Sequence, residues 1–121
     1  MVRPLFDTNI LIDYLNGIAL AREELARYRE PRISIISWME VMIGAATDVE
    51  AATRRFLSRF TIVEIDQAVA ERAVTIRRGS RMRLPDAIIL ASTEVHSMLL
   101  VTRNTRDFDG GSPSVRVPYS L

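Results

Sequence analysis

Four acidic residues lie where the predicted strands and helices of this chain meet. Asp7 directly follows a short apolar segment, and Glu40 and Asp107 follow two later ones. Asp86 opens a helical segment that leads into the last of these strands. Carboxylates that converge repel one another strongly, so they need a proton or a divalent cation between them. Because no His or Cys accompanies them, their oxygens suit Mg²⁺ or Mn²⁺ rather than Zn²⁺.

Each of these residues also has a purely structural interpretation. Asp7 can cap the helix that follows it, and Asp86 at a helix start gains from the helix dipole. The S-x-x-E pattern at 37–40 spells a capping box, and Asn104 with Asp107 can form another local cap. Capping needs one acceptor per helix, however, and Ser, Thr or Asn serves equally well. Four carboxylates at these junctions therefore favour a shared site.

Short apolar segments alternate with longer amphipathic ones, and this alternation predicts the elements that position the carboxylates. Strands are predicted at 4–6, 33–36, 61–65, 98–101 and 115–117, the last at a sheet edge because Pro118 follows. Helices are predicted at 8–15, 18–29, 38–46, from 48 onward, at 66–79 with Asp66 as cap, and at 85–97. The pattern predicts one α/β domain over residues 1–121, a three-layer α/β/α arrangement with a mostly parallel sheet of four or five strands. Ligands of such sheets bind at the carboxyl edge.

Composition excludes several classes of function. The 121 residues include no Cys, and all 16 basic residues are arginines. Disulfides, thiolate metal sites, cysteine nucleophiles and mechanisms that need an active-site lysine are therefore excluded. The formal net charge of +1 does not by itself indicate nucleic-acid binding, so any basic surface must be local. No segment is typical of a signal peptide or a membrane span, which predicts a cytoplasmic protein without membrane contact.

Several arginines lie close to the acidic residues in the sequence. Four fall within seven residues just ahead of Asp86, and two flank Asn104. They form a solvated surface, or they contact the phosphates of RNA beside an acidic site that would otherwise repel it. These candidates for RNA binding are Arg77, Arg78, Arg81, Arg83, Arg103 and Arg106.

Four motifs give the chain a resemblance to a known family. They are Phe6-Asp7-Thr8-Asn9-Ile10-Leu11-Ile12, Ser37-Trp38-Met39-Glu40-Val41 with Gly44, Leu84-Pro85-Asp86-Ala87-Ile88-Ile89-Leu90-Ala91, and Leu100-Val101-Thr102-Arg103-Asn104 with Asp107-Phe108. In this order and at this chain length, they make the sequence similar to PIN-domain proteins. More narrowly, it resembles the VapC-type toxins of bacterial and archaeal toxin–antitoxin pairs. The resemblance extends over the whole chain.

This resemblance implies a PIN-like fold and an Mg²⁺- or Mn²⁺-dependent endoribonuclease that acts on single-stranded RNA. It also implies a homodimer and inhibition by a cognate antitoxin protein. Asp7, Glu40, Asp86 and Asp107 would form the catalytic, metal-binding quartet, with Asp7 and Asp86 as direct ligands. The expected reaction is hydrolysis of a phosphodiester by water, which leaves 5′-phosphates, and Glu40 is a candidate proton acceptor. The polar residues around the quartet would be Thr8, Asn9, Ser37, Thr102 and Asn104.

Other residues and other functions must be weighed beside this interpretation. Trp38, Met39 and Met42 are predicted to lie in the core or on a dimer surface, and the alternative is a groove for an antitoxin helix. His96, near a helix end, is predicted to be a surface residue without a catalytic role. A phospho-receiver domain would share the sheet and the Mg²⁺ site but needs a lysine, which is absent. A catalytically silent PIN domain, which binds RNA or acts as a scaffold, has no physical reason to keep four repelling carboxylates.

Overall fold

A parallel β-sheet forms the centre of the computed structural model, which describes residues 2–121. Its strands are β1 (Pro4–Phe6), β2 (Arg32–Ser34), β3 (Thr61–Val63), β4 (Leu99–Val101) and β5 (Val115–Arg116). They lie in the order β3-β2-β1-β4-β5, and every neighbouring pair is parallel. The predicted five-stranded sheet is thus present, with β5 at an edge as expected.

Six α-helices connect the strands. They are α1 (Thr8–Leu15), α2 (Ala19–Ala26), α3 (Ile35–Gly44), α4 (Glu50–Leu57), α5 (Gln67–Arg78) and α6 (Leu84–Val95), and a short 3-10 turn (Thr47–Val49) precedes α4. The longest of them, α5 and α6, have 12 residues each. Across residues 2–121, none of the helices combines the length and the hydropathy needed to cross a membrane.

Adjacent side chains on a strand point to opposite helix layers. Phe6 of β1 is fully buried and packs with residues of α1 to α4, among them Ile10 and Leu57. Its neighbour Leu5 is also fully buried, but packs in a second core with Ile89 of α6, and α5 lies against α6. A sheet buried on both faces explains why the central strands β1 and β4 are continuously apolar rather than alternating. The predicted three-layer α/β architecture is confirmed.

The order of the strands creates a crevice at the carboxyl edge of the sheet. From the central strand β1 the chain moves out to β2 and β3 on one side, and then crosses to β4 and β5 on the other. Ligands of open α/β sheets bind where the strand order reverses in this way. Asp7 directly follows β1 and Thr102 directly follows β4, and the Asp7 N–H donates to the carbonyl of Val101 at 2.9 Å. The fold therefore sets two polar residues side by side at this crevice.

The start of α3 differs from the prediction. The strand expected at 33–36 ends at Ser34, and α3 begins at Ile35. Ser34 caps the helix, because its side chain accepts a hydrogen bond from the Ile36 N–H at 3.1 Å. The capping box expected at 37–40 is therefore wrong. Two serines three residues apart both fit a cap, and the β-branched isoleucines favoured a longer strand. Ile36 instead packs against the α5 and α6 layer as a helical residue, which places Glu40 in the second turn of α3.

The remaining differences from the predicted elements lie at their ends. The second helix covers Ala19–Ala26 rather than 18–29, and the third strand stops at Val63 rather than at 65. The helix expected from residue 48 begins at Glu50, after the 3-10 turn. The predicted cap of α5 is confirmed, since the Asp66 carboxylate accepts a hydrogen bond from the Val69 N–H at 2.8 Å.

Three apolar residues of α3 were predicted to belong to the core or to a dimer surface. Trp38 and Met42 are partly buried and pack against the core formed by α1 to α4. Met39 is 40% exposed. The core alternative is thus right for Trp38 and Met42, whereas Met39 lies outside the core and its place on a dimer surface stays a prediction.

His96 lies at the end of α6, opposite to the end that carries Asp86. Its ring is about one third exposed, and Nε2 lies 2.9 Å from Oδ2 of Asp66. Ten residues of helix separate His96 from Asp86, which corresponds to about 15 Å. This position agrees with a surface residue that takes no part in chemistry at the carboxyl edge.

Candidate active site

Asp7 is the most buried of the four predicted acidic residues, with 4% of its surface exposed. It caps α1, and its Oδ1 accepts a hydrogen bond from the Thr8 N–H at 2.8 Å. Its Oδ2 accepts hydrogen bonds from the Thr102 hydroxyl at 2.8 Å and from the Asn9 side-chain amide at 3.2 Å. The capping interpretation is therefore correct for one oxygen, while the other belongs to a network that reaches β4.

That network fixes the Asp7 side chain without a basic partner. The amide of Asn9 also donates to Thr102 Oγ1 at 3.2 Å, and Asn9 Oδ1 accepts from the Arg103 N–H at 3.1 Å. Thr102 Oγ1 accepts in turn from the Asn104 N–H at 3.0 Å. The ion pairs found in residues 2–121 do not include Asp7. The residues predicted to surround the quartet thus hold Asp7 with neutral groups alone.

Glu40 is linked to α1 through a hydroxyl group. The Thr8 hydroxyl lies 2.7 Å from Glu40 Oε1 and 2.9 Å from Ser37 Oγ. A hydroxyl carries one proton, so it can donate to only one of them at a time, and the carboxylate is the stronger acceptor. Thr8, the chain neighbour of Asp7, therefore holds the exposed Glu40 carboxylate on the Asp7 side of the crevice.

Asp107 lies in the turn that follows β4. The side-chain amide of Asn104 donates to Asp107 Oδ2 at 2.9 Å, and Asn104 Oδ1 accepts from the Asp107 N–H at 3.2 Å. The local cap suggested by the sequence is therefore present. Asp107 itself is exposed, and its position is set by Asn104.

Asp86 lies in the first turn of α6, where the helix dipole favours a negative charge. Burial raises the pKa of Asp86, and the nearby charge of Asp107 raises it further, whereas Arg83 lowers it and Glu40 raises it. The ion pairs of residues 2–121 leave out Asp86 as well. Asp86 is thus within electrostatic reach of the other acidic residues but is not neutralised.

The ionisation of Asp7 is unfavourable in this environment. Burial raises the pKa of Asp7 to about 6, although hydrogen bonds from Thr102 and Thr8 lower it. The charges of Asp86 and Glu40 also raise the Asp7 pKa. Burial and the neighbouring carboxylates both disfavour the charged form of Asp7, and a cation bound beside it would favour that form again.

A divalent cation would find its protein ligands in only part of the acidic quartet. Within residues 2–121, no three His, Cys, Asp or Glu side chains converge closely enough to surround an ion. The four carboxylates that the sequence predicted to share a single pocket therefore lie farther apart than expected within the described residues. Thr8 holds Glu40 and Asn104 holds Asp107 by hydrogen bonds. Mg²⁺ is usually held by one or two carboxylates, and waters complete its shell. Asp7 and Asp86 supply such oxygens.

The six arginines predicted to contact RNA fall into two groups. Five have exposed side chains: Arg77, Arg78, Arg81, Arg83 and Arg106. Arg103 differs, because Asp13 binds its guanidinium through hydrogen bonds of 2.7 and 2.9 Å. This pairing favours a structural role for Arg103 over contact with RNA.

A polar cleft of about 490 Å³ borders the acidic residues. It is lined by Asn9, Arg103, Asn104, Thr105 and Arg106. Asn9 and Asn104 also hold Asp7 and Asp107 by hydrogen bonds. The cleft therefore opens beside the carboxylates and offers amide and guanidinium donors.

Two carboxylates that the structure buries were not predicted from the sequence. Asp13 and Glu24 are 5% and 4% exposed, and each is paired with an arginine, Arg103 and Arg116 respectively. A signal existed for Asp13, since it is four residues from Asn9 and so lies on the same face of α1. Nothing marked Glu24, which lies in the polar segment Arg-Glu-Glu.

Sequence comparison agrees with this arrangement. The family model of the PIN domain matches residues 5–110. Ribonuclease VapC10 of Mycobacterium tuberculosis is 30% identical over 112 residues, which cover 86% of this chain and 84% of that protein. The chain therefore belongs to the PIN-domain family, as its motifs predicted.

Solved structures show the same fold. One chain of a toxin–antitoxin complex from Klebsiella pneumoniae is 48% identical with a TM-score of 0.90, and the match covers 98% of this chain and 99% of that one. A chain of a DNA-bound VapBC complex from Salmonella typhimurium is 25% identical with a TM-score of 0.78, and the match covers 96% of both. A chain of FitAcB from Neisseria gonorrhoeae shares the fold at 22% identity, with a TM-score of 0.80 over 98% of this chain and 99% of that one.

Proposed function

We propose that this protein is a metal-dependent endoribonuclease and the toxin of a VapBC-type toxin–antitoxin pair, with Mg²⁺ or Mn²⁺ as its cofactor. The observation that carries the proposal is the position of Asp7 and Asp86 at the crevice of the sheet, where both have raised pKa values and neither forms an ion pair within residues 2–121. The 30% identical relative named a ribonuclease supports the activity. The 48% identical chain from a toxin–antitoxin complex supports the biological role.

The chain's own residues define how hydrolysis would proceed. When bound, the ion supplies a water of lowered pKa and offsets the charge that develops on the phosphate. Asp7 and Asp86 would hold it, and Thr102 and Asn9 keep Asp7 in place. Glu40 is exposed and accepts the proton of the attacking water. As the oxygen of water bonds to phosphorus, the bond from phosphorus to the 3′ oxygen breaks, and the leaving 3′ oxygen takes a proton from solvent. The products then carry 5′-phosphate and 3′-hydroxyl ends.

The surroundings of the site suit a single strand of RNA. The polar cleft beside the carboxylates is open and offers an amide donor from Asn104. Exposed arginines, among them Arg81, Arg83 and Arg106, supply contacts to phosphates, which offset the repulsion between RNA and the acidic residues. Unpaired strands expose their bases as well as their backbone to such a cleft, whereas a duplex keeps its bases stacked and paired.

A second cleft suits the cognate antitoxin. It measures about 540 Å³ and lies between α1, α3 and α4, with Ile12, Leu15 and Val41 among its lining residues. Ile12 and Leu15 are 42% and 41% exposed, and Glu40 lines the same cleft. An apolar helix of the antitoxin docked here would lie beside the acidic residues and exclude RNA. Trp38, Met39 and Met42 do not line this cleft, so it is not the groove that the sequence suggested for them.

The assembly and location are proposed on the family resemblance. We propose a homodimer, because VapC-type toxins are expected to pair, and a cytoplasmic location, where RNA substrates are found. The family match over residues 5–110 supports the proposal that residues 1–121 form a single PIN domain.

Cleavage of RNA by the purified protein, compared with Asp7→Asn, tests the activity. The wild-type protein should cut single-stranded RNA with Mn²⁺ or Mg²⁺ and not with a chelator, and ligation of the products should reveal 5′-phosphates. Asp7→Asn should lower the rate by more than the roughly 10–100-fold that the loss of an outer partner of a metal ligand costs. The ellipticity of the variant should match that of the wild type.

Asp48→Asn is the matched control, since Asp48 is exposed in the 3-10 turn. It should cleave at the wild-type rate. A fully active Asp7→Asn protein would contradict the assignment of the site. Mn²⁺ should also raise the melting temperature of the wild type by binding to its native state. A protein that shows neither this shift nor cleavage would instead be a silent PIN domain that binds RNA or acts as a scaffold.

A further inference from the structure

We infer that Asp13 is a positioning residue for the active site, and that it acts by holding the side chain of Arg103. This inference deepens the proposed function and rests on it. Asp13 itself touches neither the ion nor the RNA of the proposed reaction. Its effect passes through the segment 102–104, which holds both Asp7 and Asp107.

The Asp13 carboxylate has every feature of a fixed anchor. It is 5% exposed, and it accepts hydrogen bonds from Arg103 Nε at 2.7 Å and from Arg103 Nη2 at 2.9 Å. The Tyr119 hydroxyl donates to Asp13 Oδ2 at 2.8 Å. A planar guanidinium that a buried carboxylate binds at two points has one orientation. The chain beyond β5 thus helps to lock a pair that joins α1 to the turn after β4.

Arg103 lies between the two residues that hold the acidic side chains. On one side, the Thr102 hydroxyl donates to Asp7 Oδ2 at 2.8 Å. On the other side, the Asn104 amide donates to Asp107 Oδ2 at 2.9 Å. Because the three residues are consecutive, an anchor on the Arg103 side chain limits the movement of both neighbours.

α1 holds Arg103 at two places, one turn apart. Asn9 Oδ1 accepts the Arg103 backbone N–H at 3.1 Å, and Asp13 binds the guanidinium. Asn9 and Asp13 are four residues apart and share a face of the helix. Two attachments fix the register of the turn against α1, whereas one would allow it to pivot. The direction in which Asp7 presents its oxygens therefore depends on Asp13.

The pair between Glu24 and Arg116 provides a matched control within the same chain. Glu24 is 4% exposed and accepts hydrogen bonds from Arg116 at 2.6 and 3.0 Å, so it resembles Asp13 in burial and geometry. Arg116, however, lies in β5, where pairing with β4 holds its backbone independently. Loss of Glu24 should therefore reduce stability without moving the acidic residues.

Titration of Mn²⁺, with the electron paramagnetic resonance signal of the free ion as readout, tests the inference. Asp13→Asn preserves size but sets an amide against the guanidinium. It should weaken Mn²⁺ binding about tenfold, the lower end of the range for partners of metal ligands. At fixed subsaturating Mn²⁺, kcat for RNA should fall while KM stays the same, because the exposed arginines are untouched. Glu24→Gln should leave the Mn²⁺ affinity unchanged.

Equal losses of Mn²⁺ affinity in Asp13→Asn and Glu24→Gln would mean a general effect of stability and would overturn the inference. Wild-type affinity in Asp13→Asn would overturn it too, while the proposed function would stand. A wild-type protein that binds no Mn²⁺ would overturn both. If Asp13→Asn does not fold, Tyr119→Phe decides, since it removes one hydrogen bond to Asp13 and keeps the ring. It should weaken Mn²⁺ binding measurably, and an unchanged affinity would contradict the positioning role.

Discussion

Asp7 and Asp13 are a turn and a half apart on the same segment and are almost equally buried, at 4% and 5% exposure, yet their surroundings differ. Asp13 faces the guanidinium of Arg103, as Glu24 faces that of Arg116. Asp7 receives only neutral hydrogen-bond donors, and its pKa is raised to about 6. Burial of a carboxylate therefore does not mark a functional site by itself. Among the residues described, Asp7 and Asp86 form no ion pair, and we call them the acidic edge. This distinguishes them from the paired network, in which Asp13 binds Arg103 and Glu24 binds Arg116.

The physical difference lies in what offsets the loss of hydration. A buried charge is costly unless it is paired and hydrogen-bonded. For Asp13 and Glu24 the arginines supply that compensation permanently, and removal of one partner leaves the other uncompensated. At the acidic edge the compensation is left to a proton or a cation. The two regions should therefore respond in opposite directions when a carboxylate is neutralised.

The largest expected effect concerns Asp7, which should make the stability of the metal-free protein depend on pH. Its folded pKa of about 6 lies above the ordinary value of 3.8. The native state thus holds the proton more tightly, and stability falls as the pH rises from about 4 to about 6. Denaturant unfolding should show Asp7→Asn gaining on the wild type by roughly 3 kcal/mol at most between pH 4 and pH 7. A difference that does not vary with pH would contradict the raised pKa.

Neutralisation of a paired carboxylate should have the opposite sign. Glu24→Gln should lower the free energy of unfolding by about 2 kcal/mol, since Arg116 remains but is only partly buried. Urea denaturation at pH 7 measures this change. Glu23→Gln is the control, because Glu23 is the exposed neighbour of Glu24 on α2. Equal stabilities of the two variants would mean that the Glu24 pair contributes nothing.

Asp86→Asn should stabilise the metal-free protein, although less than the previous change destabilises it. The substitution removes a charge that burial and the charges of Asp107 and Glu40 disfavour, but it also loses a favourable interaction with the dipole of α6. A rise of a few degrees in melting temperature is expected without metal. Addition of Mn²⁺ should then raise the melting temperature of the variant less than that of the wild type. A lower melting temperature without metal would place Asp86 with the paired carboxylates.

The smallest expected effect concerns the exposed arginines. Arg81→Ala should flatten the dependence of RNA affinity on salt by about 0.7 in the slope of log K against log salt, the value for one phosphate contact with a single strand. Fluorescence anisotropy with a chelator present measures binding without cleavage. Arg55→Ala, on α4 in the other helix layer, should leave the slope unchanged. If Arg81→Ala also leaves it unchanged, Arg81 belongs to a solvated surface.

Local signals in the sequence predicted most of the fold. Apolar runs marked all five strands, and Asp66 marked the start of α5 correctly, because strand burial and capping involve neighbouring residues. The start of α3 was placed wrongly because Ser34 and Ser37 both fit a cap, and the choice depended on the packing of Ile36 against another layer. The acidic residues and their neutral neighbours were found because they belong to contiguous motifs.

The sequence by itself determined which functional groups are available: carboxylate oxygens at strand ends, without a cysteine or a lysine, favour the hard divalent cation that we propose. Tertiary structure decided which buried carboxylates keep their charge uncompensated. Arg103 and Asp13 are 90 residues apart in the chain, and Arg116 and Glu24 are 92 apart. Only the parallel arrangement of β1, β4 and β5 brings these residues together. Local sequence does not reveal which partner a carboxylate has across such distances, since the pairing depends on which strands become neighbours.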